Sequence, residues 1–281
     1  MNPIILSHED VLTALPDRLP DSHKGNYGKI LLLCGSKRYT GAPALSALGA
    51  LRSGAGLVYL AVPESIYMIE AIKLYEPIVF SVPERDGMFC EESFLAVKEM
   101  LHGADSVLIG PGIGRSEEAC SFVLQILNTY QGTVILDADG ISMMAEHKDV
   151  LRGRSAVTIL TPHEGEFCRM YSLDSGRMMA AQELALELGA IVVLKGHETV
   201  ITDGTITYLN PTGNPGMAVG GSGDVLAGMI TGLIGQGLDP LKAAACAVWL
   251  HGAAGDLCAQ ELGQYGMLPT DMLRALPRLM K

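Results

Sequence analysis

The sequence predicts an α/β fold, a three-layer α/β/α arrangement around a mostly parallel central sheet. Short apolar runs rich in Val, Ile and Leu alternate along the chain with longer helical stretches. Most of these runs are continuous in hydrophobicity, as strands buried on both faces of a parallel sheet require. Glycine-rich or polar clusters repeatedly follow the runs, at the place where open parallel sheets bind ligands.

Strands are expected at residues 29–34, 57–62, 78–82, 106–109, 133–137, 157–160, 191–194, 199–202 and 207–209. Helices are expected between them at 43–53, 92–101, 117–130 and 175–188, then at 225–236 and 241–262. The last two strands flank Asp203-Gly204, which reads as the turn of an antiparallel hairpin. The hydrophilic stretches 84–92 and 147–154 are short and read as surface turns. No Pro/Ser-rich linker, repeat or low-complexity segment divides the chain, so residues 1–281 are expected to form one domain.

The charge balance excludes some function classes. With 31 acidic against 20 basic residues the net charge is −11, which argues against an extended surface for nucleic acid or anionic membrane. A phosphorylated small molecule remains compatible, because a few N–H groups at a helix start hold phosphate even in an acidic protein. The six cysteines stand singly with no C-x-x-C pair, which disfavours a zinc cluster or a dithiol motif. The start MNPIILSHED lacks a basic segment and its apolar run is too short for a signal peptide. The Gly-rich apolar run 225–235 is too short to span a bilayer, so a soluble cytoplasmic protein is expected.

The sharpest chemical signal is Gly220-Gly221-Ser222-Gly223-Asp224, leading into an apolar helix. Free N–H groups at a helix start, beside glycines that admit close approach, make an anion hole for a transferring phosphoryl group. Asp224 at its mouth is placed to take a proton from an attacking hydroxyl, or else simply to cap the helix. The chain has no G-x-x-x-x-G-K-[ST], and Gly35-Ser36-Lys37-Arg38-Tyr39-Thr40-Gly41 is no G-x-G-x-x-G, so a P-loop and the usual dinucleotide-binding design are disfavoured.

Four further clusters follow strands. Lys195, ahead of Gly196-His197-Glu198-Thr199, reads as a nucleotide-phosphate contact or as a solvated turn lysine. His163 and Glu166 sit in a Pro/Gly-constrained turn, for substrate contact or for local hydrogen bonding. Asp137 and Asp139 would meet Mg²⁺ through water or cap the next helix. The run Gly110-Pro111-Gly112-Ile113-Gly114 closes the set. His251, in a mostly apolar helix beside Trp249, reads as a core histidine, and Asp256 further along has no assigned role.

Taken together these stretches resemble the ribokinase-like superfamily, and within it the ADP/ATP-dependent NAD(P)H-hydrate dehydratases. The resemblance runs from about Lys24 to about Pro277. It includes Lys24-Gly25 with Gly28, Gly41-Ala42, Leu51-Arg52-Ser53-Gly54-Ala55-Gly56-Leu57, the clusters above, Gly213-Asn214-Pro215-Gly216-Met217-Ala218 and Pro269-Thr270-Asp271. The Gly-x-Gly-Asp loop identifies only the superfamily; the Gly-Asn-Pro-Gly-Met-Ala run before it is specific to the dehydratases. Departures are modest. Asn26-Tyr27 replaces an acidic-aromatic pair, Glu164 a common proline and Val219 a common threonine, which puts a phosphate contact from position 219 in doubt.

The resemblance implies a ribokinase-like fold and repair of the S-epimers of NADHX and NADPHX to NADH and NADPH, with ADP giving AMP and phosphate. It implies Asp224 as general base with Gly221, Ser222 and Gly223 as the anion hole, and Ala42, Gly112, His163 and Asp224 on the hydrate. It places Lys195, Gly196, His197, Glu198, Thr199 and Gly223 on the adenine nucleotide. It further implies Mg²⁺, ADP as co-substrate with ATP possible, a link to a separate NAD(P)H-hydrate epimerase, and a homo-oligomer, commonly a tetramer. No epimerase domain is recognised ahead of residue 24, so the stand-alone bacterial type is expected. The alternative is a vitamin or sugar kinase of the same superfamily, which would share the anion hole and the aspartate.

Overall fold

The computed structural model describes residues 2–281; Met1, the first residue of the expected domain, lies outside it. In chain order the strands are β1 (Lys29–Leu33), β2 (Leu57–Pro63), β3 (Ile78–Val82), β4 (Glu84–Arg85), β5 (Met88–Phe89) and β6 (Ser106–Ile109). They continue with β7 (Thr133–Leu136), β8 (Thr158–Leu160), β9 (Ile191–Leu194), β10 (Val200–Thr202) and β11 (Thr207–Leu209). Nine of them form one sheet in the order β11-β10-β9-β8-β7-β6-β1-β2-β3. Neighbours from β9 to β3 are parallel, while β10 runs antiparallel to both β9 and β11. The expected hairpin is the β10–β11 pair, with Thr202 opposite Thr207.

Strand β1 shows why the apolar runs are continuous. Ile30 and Leu32 point into one core with the helices Ala42–Arg52, Ser222–Gly235 and Pro240–Leu262. Leu31 and Leu33 point into a second core with Glu91–His102, Glu117–Thr129 and Arg177–Leu188. A strand alternates its side chains, so a sheet covered on both faces needs an apolar residue at every position.

The helices Ala42–Arg52 and Ser222–Gly235 are in unusually close contact. A Cβ on Gly228 would stand 2.0 Å from the Ser46 carbonyl oxygen, and one on Gly49 would stand 2.4 Å from that of Val225. These glycines, in sequence mere breaks in an apolar run, let two backbones touch, and that contact carries the start of one helix to the start of the other.

All six expected helices are present with small shifts of boundary, of which one matters. The helix expected from 225 begins at Ser222, so Asp224 lies in its first turn. Two expectations are corrected. The stretch 84–92 contains the β4–β5 hairpin, whose turn residues Asp86 and Gly87 both have positive φ (53° and 79°), as a two-residue turn demands. The stretch 147–154 contains the helix Lys148–Gly153. The helices His8–Ala14, Glu64–Lys73, Asp139–Met144, Glu164–Phe167 and Pro269–Leu279 add to the expected set. Among the described residues no helix is long and apolar enough to cross a membrane.

Candidate active site

Strands β9, β8, β7, β6 and β1 are consecutive in the sheet and parallel, so their carboxyl ends form one edge. The five clusters that follow them stand side by side in that order: Lys195-Gly196, Thr161-Pro162-His163, Asp137-Ala138-Asp139, the 110–114 run and Gly35-Ser36. The helix Ser222–Gly235 enters against this edge.

Its first turn is open. Gly221 is the N-cap residue, in a left-handed conformation (φ 95°) that a side chain would strain, and it offers no side-chain cap. Asp224 sits three residues further on and makes no capping bond, which removes the capping alternative. The N–H groups of Gly221, Gly223 and Asp224 find no backbone acceptor among the described residues, as free donors of a helix start. Ser222 is buried, with its Oγ 3.4 Å from Nε2 of His251. His251 is the core histidine expected: burial pushes its pKa down to about 4, so it stays neutral behind the loop.

Lys195 supplies the positive charge. Its Nζ donates to Oδ1 of Asp137 at 2.8 Å, and lies 3.3 Å from where a Cβ on Gly223 would be. The same Asp137 oxygen accepts from Thr161 Oγ1 at 2.7 Å. Burial pulls the lysine pKa down, but Asp137, with Glu166 and Asp224, more than offsets it and holds the ammonium above its ordinary range. Asp137 is therefore the fixed counter-ion of Lys195, and no side-chain cap closes the next helix at its Ala138 N-cap. Asp139 accepts from the Gly114 N–H at 3.1 Å and pairs with Arg115.

Asp224 is the perturbed group. Burial, reinforced by the Asp137 carboxylate and opposed by Lys195, pushes its pKa up to about 6. A carboxylate at that value is ionised at neutral pH yet basic enough to take a proton from a hydroxyl.

The loop between β9 and β10 is held from outside. Arg177 donates to the carbonyl oxygens of Leu194 at 3.3 Å, Lys195 at 3.2 Å and His197 at 2.5 Å. Within it Thr199 Oγ1 donates to the Gly196 carbonyl at 3.0 Å, leaving Gly196, His197 and Glu198 exposed beside Lys195. His163 pairs in the sheet edge with Lys195 and makes a reciprocal cap with Glu166, so local hydrogen bonding holds this turn. Its ring is still 59% exposed. Ala42 starts its helix next to Gly112, where a Cβ would lie 3.0 Å from the alanine's own. Leu45, one turn on, packs on Gly221. The edge thus brings together all the residues expected to bind hydrate and nucleotide. Asp256 accepts from the Gly213 N–H and from Asn214 Nδ2, both at 2.9 Å, and ties down the run that leads into the 220–224 loop.

A sequence profile of the NAD(P)H-hydrate dehydratases matches residues 30–278. The chain belongs to this family. It is 42% identical over 275 residues to the bifunctional NAD(P)H-hydrate repair enzyme Nnr of Moorella thermoacetica, covering 95% of this chain and 52% of that one. It thus spans about half the length of the bifunctional relatives it matches. The ADP/ATP-dependent NAD(P)H-hydrate dehydratase of Bacillus subtilis, solved after co-crystallisation with ATP and Mg²⁺, matches at TM-score 0.84 and 34% identity over 99% of this chain and 98% of its own. A ribokinase-like superfamily protein of Enterococcus faecalis matches at TM-score 0.87 and 30% identity over 98% and 94%. The α/β class and the ribokinase-like fold are as expected.

Three positions of this candidate site were not read from sequence: Arg177, Thr161 as a partner of Asp137, and Asp256. Arg177 and Asp256 act across 20 and 42 residues, and no local pattern marks such pairs.

Proposed function

We propose that this chain dehydrates the S-epimers of NADHX and NADPHX to NADH and NADPH, converting ADP to AMP and phosphate. The observation that carries the reading is the half-buried Asp224 carboxylate, raised to about 6, beside an uncapped helix start and the Lys195 ammonium. Asp224 takes the proton of the ring hydroxyl, whose oxygen attacks the terminal phosphorus of ADP and releases AMP. The phosphate ester then breaks at its carbon–oxygen bond, and phosphate leaves with the electron pair. Loss of a ring proton restores the conjugated dihydronicotinamide, and the oxygen of the added water departs in the phosphate. The N–H groups of Gly221, Gly223 and Asp224 stabilise charge on the moving phosphoryl group, and Lys195 holds the nucleotide phosphates.

Mg²⁺ was supplied with ATP to the Bacillus subtilis relative. In this chain the Asp137 Oδ1 is taken by Lys195 and Thr161, and Asp139 is taken by Gly114 and Arg115. Mg²⁺ keeps its waters and favours phosphate oxygens, so it would fit as companion of the nucleotide and offset the charge of its phosphates, and Asp137 would reach it only through water, with the oxygen that Lys195 and Thr161 leave free. The bifunctional repair relatives support a link to a second repair activity, which we assign to the epimerase that supplies the S-epimer.

The test is recovery of dihydronicotinamide absorbance from purified hydrate with Mg²⁺ and either ADP or ATP. Recovery with ADP supports the reading as stated, and recovery with ATP alone corrects the nucleotide. Recovery with neither refutes it, and a stable phosphorylated product from another alcohol would point to a kinase.

A further inference from the structure

Beyond β1, at the end of the strand edge away from Lys195, the loops enclose an open cleft of about 260 Å³. One wall is the loop after β1, with Lys37, Arg38 and Tyr39; a second is the loop after β6, with Arg115; the third is the turn of the β4–β5 hairpin. The hairpin is packed on both loops. The Lys37 N–H donates to the Gly87 carbonyl at 2.9 Å, and a Cβ on Gly87 would fall 2.5 Å from that of Lys37. Met88 Sδ lies 2.5 Å from where a Cβ on Gly114 would be. The cleft is therefore preformed.

Its charge is unusual for a chain of net charge −11. Three cationic side chains meet two carboxylates, Asp86 and Asp139, and Asp139 is already engaged by Arg115 and Gly114. Among the described residues no carboxylate oxygen lies within 4.0 Å of the charged ends of Lys37 or Arg38. Two unpaired cations in a concave site attract phosphate. Tyr39 is 49% exposed and adds an aromatic surface.

The cleft is continuous with the hydrate end of the active site. A Cβ on Gly112 would lie 2.7 Å from Tyr39 Cβ and 3.0 Å from Ala42 Cβ, and Leu45 of the same helix touches Gly221. From β9 to β1 the edge covers four strand spacings, about 19 Å. With the second nucleotide at Lys195 and the hydrated ring at Asp224, the rest of a dinucleotide has to leave towards β1.

We propose that this cleft receives the adenosine-phosphate half of the hydrated dinucleotide, Lys37 and Arg38 pairing with its phosphates and Tyr39 giving adenine a stacking face. The inference rests on the dehydratase reading. NADPHX carries one more phosphate on this half than NADHX, so the enzyme favours NADPHX.

The experiment compares wild type with the double variant Lys37→Ser/Arg38→Ser on NADHX and NADPHX, with adenosine 2′,5′-bisphosphate as a competitive probe. Both side chains are exposed, and unchanged thermal unfolding checks the fold. In the double variant KM for NADPHX rises about tenfold more than KM for NADHX, as expected for one or two lost charge-assisted contacts, and the change falls on KM rather than kcat. The probe also loses potency. An unchanged ratio of the two KM values overturns the proposal. If wild type turns over neither hydrate, the dehydratase reading fails separately, and calorimetry with the bisphosphate decides the cleft. Binding lost in the double variant supports an adenosine-phosphate site; no binding to wild type overturns it.

Discussion

Replacing Asp224 by Asn removes the carboxylate that the fold holds at a cost. Its pKa moves from 3.8 in the free side chain to about 6, chiefly through burial. That difference corresponds to about 3 kcal/mol against the folded state at pH 8, where the group is ionised both folded and unfolded. The sign follows from the raised value. As pH falls through about 6 the folded carboxyl takes a proton while the unfolded one stays ionised to about 3.8, so the folded state recovers the cost. Partial exposure and the favourable helix start, worth about 0.3–1 kcal/mol, reduce the net to about 2 kcal/mol. Urea denaturation at pH 8 should therefore find Asp224→Asn more stable than wild type by about 2 kcal/mol, and at pH 4.5 by about a third of that. Turnover should fall by about 10²–10⁴, the loss expected for a missing general base. In wild type, kcat/KM should drop on the acid side with an apparent pKa of about 6. A variant no more stable than wild type at pH 8, or a gap indifferent to pH, would show that the carboxylate pays no desolvation cost, and the argument for a tuned base would fail.

Lys195→Met should leave Asp137, whose side chain is 2% exposed, as a buried unpaired charge, costing about 3–5 kcal/mol by chemical denaturation. It should also weaken ADP binding in calorimetry. Because Lys195 holds the Asp224 pKa down, whatever turnover remains should lose activity at a higher pH than wild type. Asp256→Ala should leave the Gly213 N–H and the Asn214 amide without their acceptor, lowering stability by about 1–3 kcal/mol in thermal unfolding together with kcat/KM. Gly228→Ala would place a Cβ 2.0 Å from the Ser46 carbonyl; a loss of about 1–3 kcal/mol or more is expected, and near-neutral stability would contradict the close helix contact.

The sheet was legible because it is buried on both faces. Strands such as β1 and β9 write that burial as unbroken apolar runs, and polar clusters mark their ends. The helix Glu64–Lys73 escaped because its outer face carries Met68 and Ile72, 63% and 70% exposed, which blurs the helical period. The β4–β5 hairpin did leave a trace, Asp86-Gly87, but two-residue strands are too short to show alternation. Pro277 obscured the helix Pro269–Leu279, although Pro269 at its start and Asp271 three residues after Leu268 are ordinary start signals.

Asp137 illustrates the division within the site. From sequence it was a water-mediated metal contact or a helix cap. In the fold it is the counter-ion of Lys195, 58 residues away, and a neighbour that raises Asp224. The chain's local order, namely its hydrophobic period and the glycines before Asp224, was enough to determine the α/β class, the strand edge and the glycine-rich helix start at 220–224. Only tertiary structure decided that Asp224 does not cap its helix, that Asp137 is the counter-ion of Lys195, and that Lys37 and Arg38 line a cleft with no ion-pair partner of their own among the described residues. The physical reason is that period and turn chemistry act over a few residues and are written in order. Burial and charge pairing act through space, between segments that meet only when the sheet has formed.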